Sequence, residues 1–263
     1  MPARWSKEVE LVKFQELQDL YVTQNKTIFE ISETLNISYQ SVYKRLLRLN
    51  INPNRSRKKK FNNKNNYVTL PYIHTSSLAE FFGIMLGDGC ISPTQVMVTL
   101  GNKEFDYVKH VSKLITKLFS VTPKVYIRKR GYYVVSFGST MAVKWLLDNK
   151  LVINKVKNQV KTPDWILKKK VFMKNFLKGF FDTDGSVYKL RFGVQLAFTN
   201  RSLPLLSDIY YSLEKLGYHP SRISRFQVYV TRKRQVLRFF KYVNPANIKH
   251  RQRFDRFVKY YSY

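Results

Sequence analysis

The sequence predicts an α+β protein, two pseudo-symmetric αββαββα repeats preceded by an all-α module. Three observations predict it. Two near-copies of one nonapeptide, Phe81-Phe82-Gly83-Ile84-Met85-Leu86-Gly87-Asp88-Gly89 and Leu177-Lys178-Gly179-Phe180-Phe181-Asp182-Thr183-Asp184-Gly185, place their last aspartates 96 positions apart. Landmarks recur at similar offsets from those aspartates: Asn102 and Asn200 at 14 and 16, Pro123 and Pro220 at 35 and 36, Lys155 and Lys249 at 67 and 65. The residues ahead of the first copy carry helical periodicity and capping signals instead.

That leading module is expected over residues 1–52. Val9, Leu11, Val12, Phe14, Leu17 and Leu20 recur among charges as on an amphipathic helix. Thr27 with Glu30 three positions later reads as a capping box, and Ile28, Ile31 and Leu35 form the apolar face behind it. Asn36 suits a turn that needs a left-handed residue. Ser38 then caps a second helix with Val42, Leu46 and Leu49 on its inner face. This spacing resembles a helix-turn-helix DNA-binding unit. Its second helix would offer Tyr39, Gln40, Ser41, Lys44, Arg45 and Arg48, the early ones toward base edges. A plain three-helix bundle used for packing is the alternative. A basic linker, 53–76, follows with Arg55, Arg57, Lys58, Lys59, Lys60 and Lys64, suited to tracking phosphates.

The repeats are expected at 77–160 and 161–263. In the first, the motif helix leads to strand-like Gln95–Leu100, helical 104–119, strands at 124–129 and 132–137, and a helix through 141–147. In the second, Gly193–Thr199 is followed by helical 203–216, strands near Ile223 and at 227–231, and helical 235–243. Gly83 and Gly87 lie four apart, on one helix face. A helix-interior glycine costs about 1 kcal/mol and is worth it where a second helix must come close. Gly89 and Gly185 are expected to close the motif helices as left-handed caps.

Asp88 and Asp184 would then sit at helix C-termini, where dipole and free carbonyls are also negative. A hard divalent cation with oxygen ligands turns that repulsion into a site, with the carbonyls of Gly87 and Thr183 as further donors. Asp182 reads as structural support rather than a ligand, since Leu86 stands at its place in the first copy.

Composition narrows the partner. Against 47 Lys and Arg stand 17 Asp and Glu, a net charge of +30. Residues 1–77 hold 13 basic and 6 acidic side chains, leaving 34 and 11 for the rest, so the excess lies mostly on the body that bears the motifs. That points to a polyanion. No apolar run approaches the roughly 18 residues of a membrane span, so no membrane partner is expected. The start, Met-Pro-Ala-Arg-Trp and then charge, shows no signal-peptide pattern, so the expected location is cytoplasmic (nucleoid-associated) or organellar, not secreted. The single Cys90 excludes an internal disulfide and a cysteine zinc cluster.

The paired nonapeptides resemble the double motif of the LAGLIDADG homing endonucleases, in the single-chain, two-motif form. The resemblance implies two motif helices packed at a pseudo-twofold axis and two four-stranded antiparallel sheets forming a DNA-binding saddle. Arg128, Lys129, Arg130, Arg191, Arg222, Arg225 and Gln227 are the implied strand-borne DNA contacts. It further implies a monomer acting on double-stranded DNA at a long asymmetric site. The reaction would be metal-dependent hydrolysis of both strands with short 3′ overhangs, with two or three Mg²⁺ (or Mn²⁺) ions between Asp88 and Asp184. By position, Lys155 and Lys249 match the family's catalytic lysines, and Asn102 and Asn200 its polar residues that orient water. Two other readings share the fold: a non-cleaving transcriptional regulator, and an RNA maturase whose partner is intron RNA.

Overall fold

The computed structural model describes residues 7–24, 26–51, 68–128, 131–155 and 157–259. Two compact units result, residues 1–64 and 65–263.

In the first unit, α1 (Lys7–Gln18) runs directly into a π-helical turn (Asp19–Thr23), and α2 (Ile28–Thr34) and α3 (Tyr39–Arg48) follow. The capping box forms: Thr27 Oγ1 accepts from the Glu30 N–H at 2.9 Å, and the Glu30 carboxylate accepts from the Thr27 N–H at 2.5 Å. Asn36 takes the left-handed conformation at φ +47°, and Ser38 accepts from the Ser41 N–H at 3.2 Å. Leu17, Leu20, Tyr21, Ile28, Ile31, Val42 and Leu46 make the core. Val9 and Val12, expected on the apolar face of α1, are exposed, Val12 at 65%. The inward face runs through Leu17, Leu20 and Tyr21 instead.

The second unit opens at Val68, which joins its core, while the Thr69 N–H donates to the Phe119 carbonyl at 3.0 Å. The first repeat comprises α4 (Ser76–Leu86), β1 (Gly89–Ile91), β2 (Gln95–Leu100), α5 (Phe105–Phe119), β3 (Lys124–Ile127), β4 (Tyr133–Gly138) and α6 (Thr140–Asp148). After α7 (Asp164–Leu167), the second comprises α8 (Lys170–Asp184), β5 (Gly185–Leu190), β6 (Gly193–Thr199), α9 (Leu203–Lys215), β7 (Gln227–Val230) and α10 (Lys233–Tyr242), closed by α11 (Ile248–Val258). One antiparallel sheet has order β1-β2-β4-β3, the other β5-β6-β7.

The two expected four-stranded sheets are therefore four-stranded and three-stranded among the described residues. The segment expected as a strand near Ile223 reaches the sheet at Ser221, whose N–H donates to the Tyr229 carbonyl at 2.8 Å, and at Ser224, which forms an isolated bridge with Gln227. Arg225 and Phe226 then turn at φ +48° and +61°, which breaks any extended run into β7. Helices α7 and α11 lie outside the expected elements.

One core spans both repeats, because α4 and α8 lie in its middle. Phe81, Phe82, Ile84 and Met85 meet Phe176, Leu177, Phe180 and Phe181, all buried. The glycines set how close these helices come. A Cβ on Gly83 would stand 2.7 Å from the Phe180 nitrogen, and one on Gly179 3.0 Å from the Glu80 carbonyl carbon. Backbone faces backbone, as the spacing predicted.

Gly89 and Gly185 differ from expectation. Neither adopts positive φ; Gly185 lies at φ −84°, ψ 159°. Their requirement is steric. A Cβ on Gly89 would meet the Met85 carbonyl at 2.6 Å, and one on Gly185 would collide with the Phe181 backbone and ring. The chain leaves each helix straight into a strand that folds back over its last turn.

Candidate active site

The motif helices carry Asp88 and Asp184 to one place. Asp88 lies just beyond the end of α4, and Asp184 is the last residue of α8. The Asp184 carboxyl carbon stands 3.5 Å from where a Cβ on Gly87 would be, so the ends of the two motifs touch. Both residues are half-buried. Burial pushes the Asp88 carboxyl up to about 7, with Asp184 and then Glu104 adding like-charge repulsion. Burial also raises Asp184, against the pull of Asn200 and Lys155.

Three neighbours answer this negative field. The Asn200 amide donates to Asp184 Oδ2 at 2.8 Å. The Lys155 ammonium donates to the carbonyls of Met85 at 3.0 Å, Leu86 at 3.2 Å and Gly87. It is thus a cation on the free carbonyls of a helix C-terminus, where the dipole favours one. Burial lowers its pKa, while Asp184 and Asp88 draw it back up. Lys249 pairs with Glu104 Oε1 at 2.7 Å. Glu104 is buried, and the Gly101 N–H donates to its other oxygen. Burial works against its charge, but Lys249 and Asn247 hold the carboxyl below the ordinary range.

Set against the expected residues, this arrangement brings together Asp88, Asp184, Lys155, Lys249 and Asn200. Asn102 does not join them. It is exposed beside Gly131, and Glu104 occupies the site instead. The sequence held a signal for this: Glu104 lies 16 past Asp88, the offset of Asn200 from Asp184, whereas Asn102 lies 14 past. Asn102 had been matched by residue type, and Glu104 by type looks only like the start of a helix. Gly87, expected as a carbonyl ligand, is here a partner of Lys155. Thr183 lies in the last turn of α8, so its carbonyl has no place in the helical ladder, while its hydroxyl donates back to the Phe180 carbonyl at 3.0 Å.

A hard divalent cation fits these donors. Two desolvated carboxylates with raised pKa at facing helix ends attract one, and oxygen is its preferred ligand. Among the described residues no three His, Cys, Asp or Glu side chains converge on one point. The protein would therefore supply the two acids, and the remaining ligands would come from carbonyls, water or a phosphate.

Asp182 has the supporting role expected of it. It is fully buried, and its two oxygens accept the N–H groups of Ala246 and Asn247, each at 2.9 Å. The Asn247 amide donates both to the Asp182 carbonyl, at 2.9 Å, and to Glu104 Oε1, at 2.7 Å. Replacing Asp182 with alanine strands two buried N–H groups at a cost of about 1–3 kcal/mol each. We expect a loss of several kcal/mol by urea denaturation; a change within 0.5 kcal/mol, roughly that of a surface site, would contradict this reading.

His250 is fully buried beside the Phe181 ring, centroid to centroid 4.9 Å, and burial, then Lys249, lowers its pKa to about 3. The unfolded chain takes up this proton near 6.5 and the folded one only near 3. Stability from this group is therefore present above about 6.5 and lost as pH falls toward 3, with a slope of roughly 1.4 kcal/mol per pH unit. His250→Gln should flatten that acid limb in denaturation curves taken between those limits; an unchanged slope would contradict it.

The expected nucleic-acid contacts are spread over both units. On α3, Gln40, Lys44 and Arg48 are exposed, while Ser41 and Arg45 are half-buried. Arg128 begins the tight β3–β4 turn, its N–H donating to the Tyr132 carbonyl at 2.9 Å. Arg191 lies in the β5–β6 turn, its guanidinium 5.0 Å from the centroid of the Phe192 ring, and Arg222 and Arg225 are exposed ahead of β7. Gln227 is half-buried; its amide donates one hydrogen bond to Thr199 Oγ1 at 3.0 Å and accepts one from the Tyr229 hydroxyl, leaving a second N–H and a second lone pair. Lys58, Lys59, Lys60, Lys129 and Arg130 lie outside the described residues. No described helix is long and apolar enough to cross a membrane.

Two glycine-faced helices, each delivering one aspartate to a shared site beneath antiparallel sheets, define the class of protein. Residues 172–244 match the family model described as LAGLIDADG-like domain. That match spans α8 to α10 of the second repeat, and the fold of the chain is the LAGLIDADG fold. The homing endonuclease I-WcaI, solved bound to its DNA recognition sequence, is 16% identical with a TM-score of 0.51 over 70% of this chain and 87% of its own. Mesophilic variants of the homing endonuclease I-DmoI are 15% identical at a TM-score of 0.46, over 64% and 95%. The N-terminal LAGLIDADG domain of DUF199/WhiA is 14% identical at 0.46, over 64% and 82%. At 16% identity the likeness to I-WcaI is one of fold. No curated protein matches the chain.

Proposed function

We propose that the protein is a site-specific double-strand DNA endonuclease that hydrolyses one phosphodiester in each strand with Mg²⁺ or Mn²⁺ and leaves short 3′ overhangs. The carrying observation is the acid pair: Asp88 and Asp184, both desolvated, at adjoining ends of helices packed backbone to backbone. Asp88 and Asp184 are the residues to hold the metal, which when bound supplies positive charge at the scissile phosphate and a more acidic water. The chain's own part is electrostatic and positional. Lys155 and Lys249 place two cations beside the acids, suited to the charge that develops on phosphate oxygens. Asn200 fixes the rotamer of Asp184. The net charge of +30 supports a nucleic-acid substrate, and the fold it shares with the DNA-bound I-WcaI is in keeping with one. Two repeats in one chain suit a monomer reading an asymmetric site.

The test is incubation with a randomised duplex library in Mg²⁺, sequencing both ends of every product. Cuts at one long sequence with 3′ overhangs are expected. Tight binding without cuts would overturn the nuclease and favour a non-cleaving regulator; binding of intron RNA instead would favour a maturase.

The α2–α3 pair of the first unit extends the recognition site to one side in this reading. The second unit has its own core, so deleting residues 1–60 should shorten the DNase footprint by several base pairs while leaving the cut positions and chemistry unchanged. A full-length footprint would contradict that role.

A further inference from the structure

The hairpins that leave the two aspartates differ. After Asp88, β1 runs only from Gly89 to Ile91 before a turn of Ser92, Pro93 and Thr94, which carries no large apolar side chain. After Asp184, β5 runs from Gly185 to Leu190, twice as long, and turns through Arg191 and Phe192 into β6, with Leu190 opposite Gly193. Successive side chains of a strand point to opposite faces. Tyr188, Lys189 and Leu190 are nonetheless all exposed, so beyond Val187 neither face of this edge strand is covered. At the tip stands Phe192, 86% exposed. The turn does not ask for it. Two-residue hairpin loops favour Asn, Asp and Gly, and the positive φ here falls on Gly193, at +141°. The fold does not ask for it either, since a phenylalanine left in water forgoes the stabilisation of burial. The Arg191 guanidinium lies 5.0 Å from the ring centroid. Lys189 adds a second cation near the tip, and no acidic residue follows Asp184 until Asp208.

We propose that Phe192 is a recognition residue: a wedge that stacks on a base of the duplex and opens one base step to one side of the cut. The chemistry of the tip selects this partner. A flat apolar ring beside cations fits a ligand that offers a flat π face next to an anion, and a nucleotide offers both. Apolar side chains set between base steps partly unstack them and kink the duplex. Chain geometry bounds the place. Phe192 lies 8 positions past Asp184. That is at most about 26 Å at the extended rise of about 3.3 Å per residue. DNA rises about 3.4 Å per base pair, so the opened step lies within about eight base pairs of the bond cut beside Asp184. The shorter β1–β2 hairpin has no counterpart to Phe192, so the wedge acts on one side only. This rests on the endonuclease reading above and deepens it.

The test uses full-length protein and the duplex recovered by binding selection from the randomised library, with Ca²⁺ present so that both strands stay intact. 2-Aminopurine, which brightens when unstacked, is placed at each position of the duplex in turn. With the wild type, one step should brighten, on one side of the cut and within the distance above. Phe192→Ala should abolish that signal and weaken binding about tenfold, as loss of one base–aromatic stack does. The slope of log K against log salt should not change, because a phenyl ring releases no counterion. Phe192→Trp should restore both the signal and the affinity. At so exposed a position neither substitution disturbs the fold. Three results would each overturn the proposal: binding by Phe192→Ala within about twofold of the wild type, a salt slope changed by about 1 as for a lost phosphate contact, or no bright step within that distance. Phe192-dependent binding to phosphatidylserine vesicles, with DNA binding unaltered, would overturn it too and give the tip to a membrane surface. If the wild type binds the duplex without cutting it, the endonuclease reading fails and the bright step still decides this inference. If it cuts and no step brightens, only this inference fails; if it binds no duplex, both fall.

Discussion

On the proposed endonuclease function, replacing Asp88 or Asp184 with asparagine is expected to abolish cleavage of both strands, by about 10³-fold or more, and to leave DNA binding intact or stronger. Asparagine keeps the shape of aspartate and removes its charge, so the packing of α4 against α8 is undisturbed. What changes is the attraction for a divalent cation, which two desolvated carboxylates share. Losing a metal's stabilisation of the transition state is worth several kcal/mol, and each 1.4 kcal/mol is tenfold in rate. Binding moves the other way because a phosphate approaching the site meets one negative charge fewer. Cleavage assayed in Mg²⁺ beside gel shifts in Ca²⁺ separates the two effects. A variant that still cuts either strand at a tenth of the wild-type rate would rule out the shared-metal site.

The second large effect is on the fold itself. Gly83→Val and Gly179→Val should each lower stability by about 3 kcal/mol or more, the upper end of what overpacking a core costs. Two effects oppose each other here. Away from glycine, a helix gains up to about 1 kcal/mol of propensity. Against this, the new Cβ on Gly83 would stand at the Phe176 carbonyl and 2.7 Å from the Phe180 nitrogen, and the one on Gly179 at the Glu80 carbonyl. Backbone atoms cannot swing aside as a side-chain tip can, so the steric term wins and α4 and α8 must separate. That separation would also pull Asp88 from Asp184, so residual folded protein should be inactive. Urea denaturation of the variants checks it, and a midpoint unchanged from the wild type would refute the close contact. Gly138 offers a control, since a Cβ there would find its nearest neighbour at an ordinary 3.7 Å.

Much of this was legible in the sequence because it is local or repeated. The nonapeptides, the caps at Thr27 and Ser38, the left-handed Asn36 and strand β6 each follow from neighbours within a few residues. The glycine-faced contact of α4 and α8 was legible through repetition, since a glycine stands five residues before the last aspartate in both copies. What escaped depends on distant partners. Glu104 is unremarkable until Lys249 and Asn247 are brought to it. The mismatch in the second sheet arose because Ser221 and Ile223 have the composition of a strand, and only the turn through Arg225 and Phe226 shows that they are not one. Gln227 sits on the expected strand, and its bonds to Thr199 and Tyr229 come from residues the sequence does not place beside it. For Gly89 and Gly185 the residue type was read correctly and its reason was not: crowding by the preceding helical turn, rather than a left-handed backbone, requires glycine there.

The bonds made by Asn247 also set an order of assembly. Its partners Glu104 and Asp182 lie 143 and 65 positions earlier in the chain. Contacts closed over such separations form late, because the loop entropy they must overcome is large and the local helices and hairpins do not need them. A chain emerging from the ribosome would therefore complete both aspartate-bearing helices well before the Glu104–Lys249 side of the site exists. Closure of that side of the site thus waits on Asn247 and Lys249.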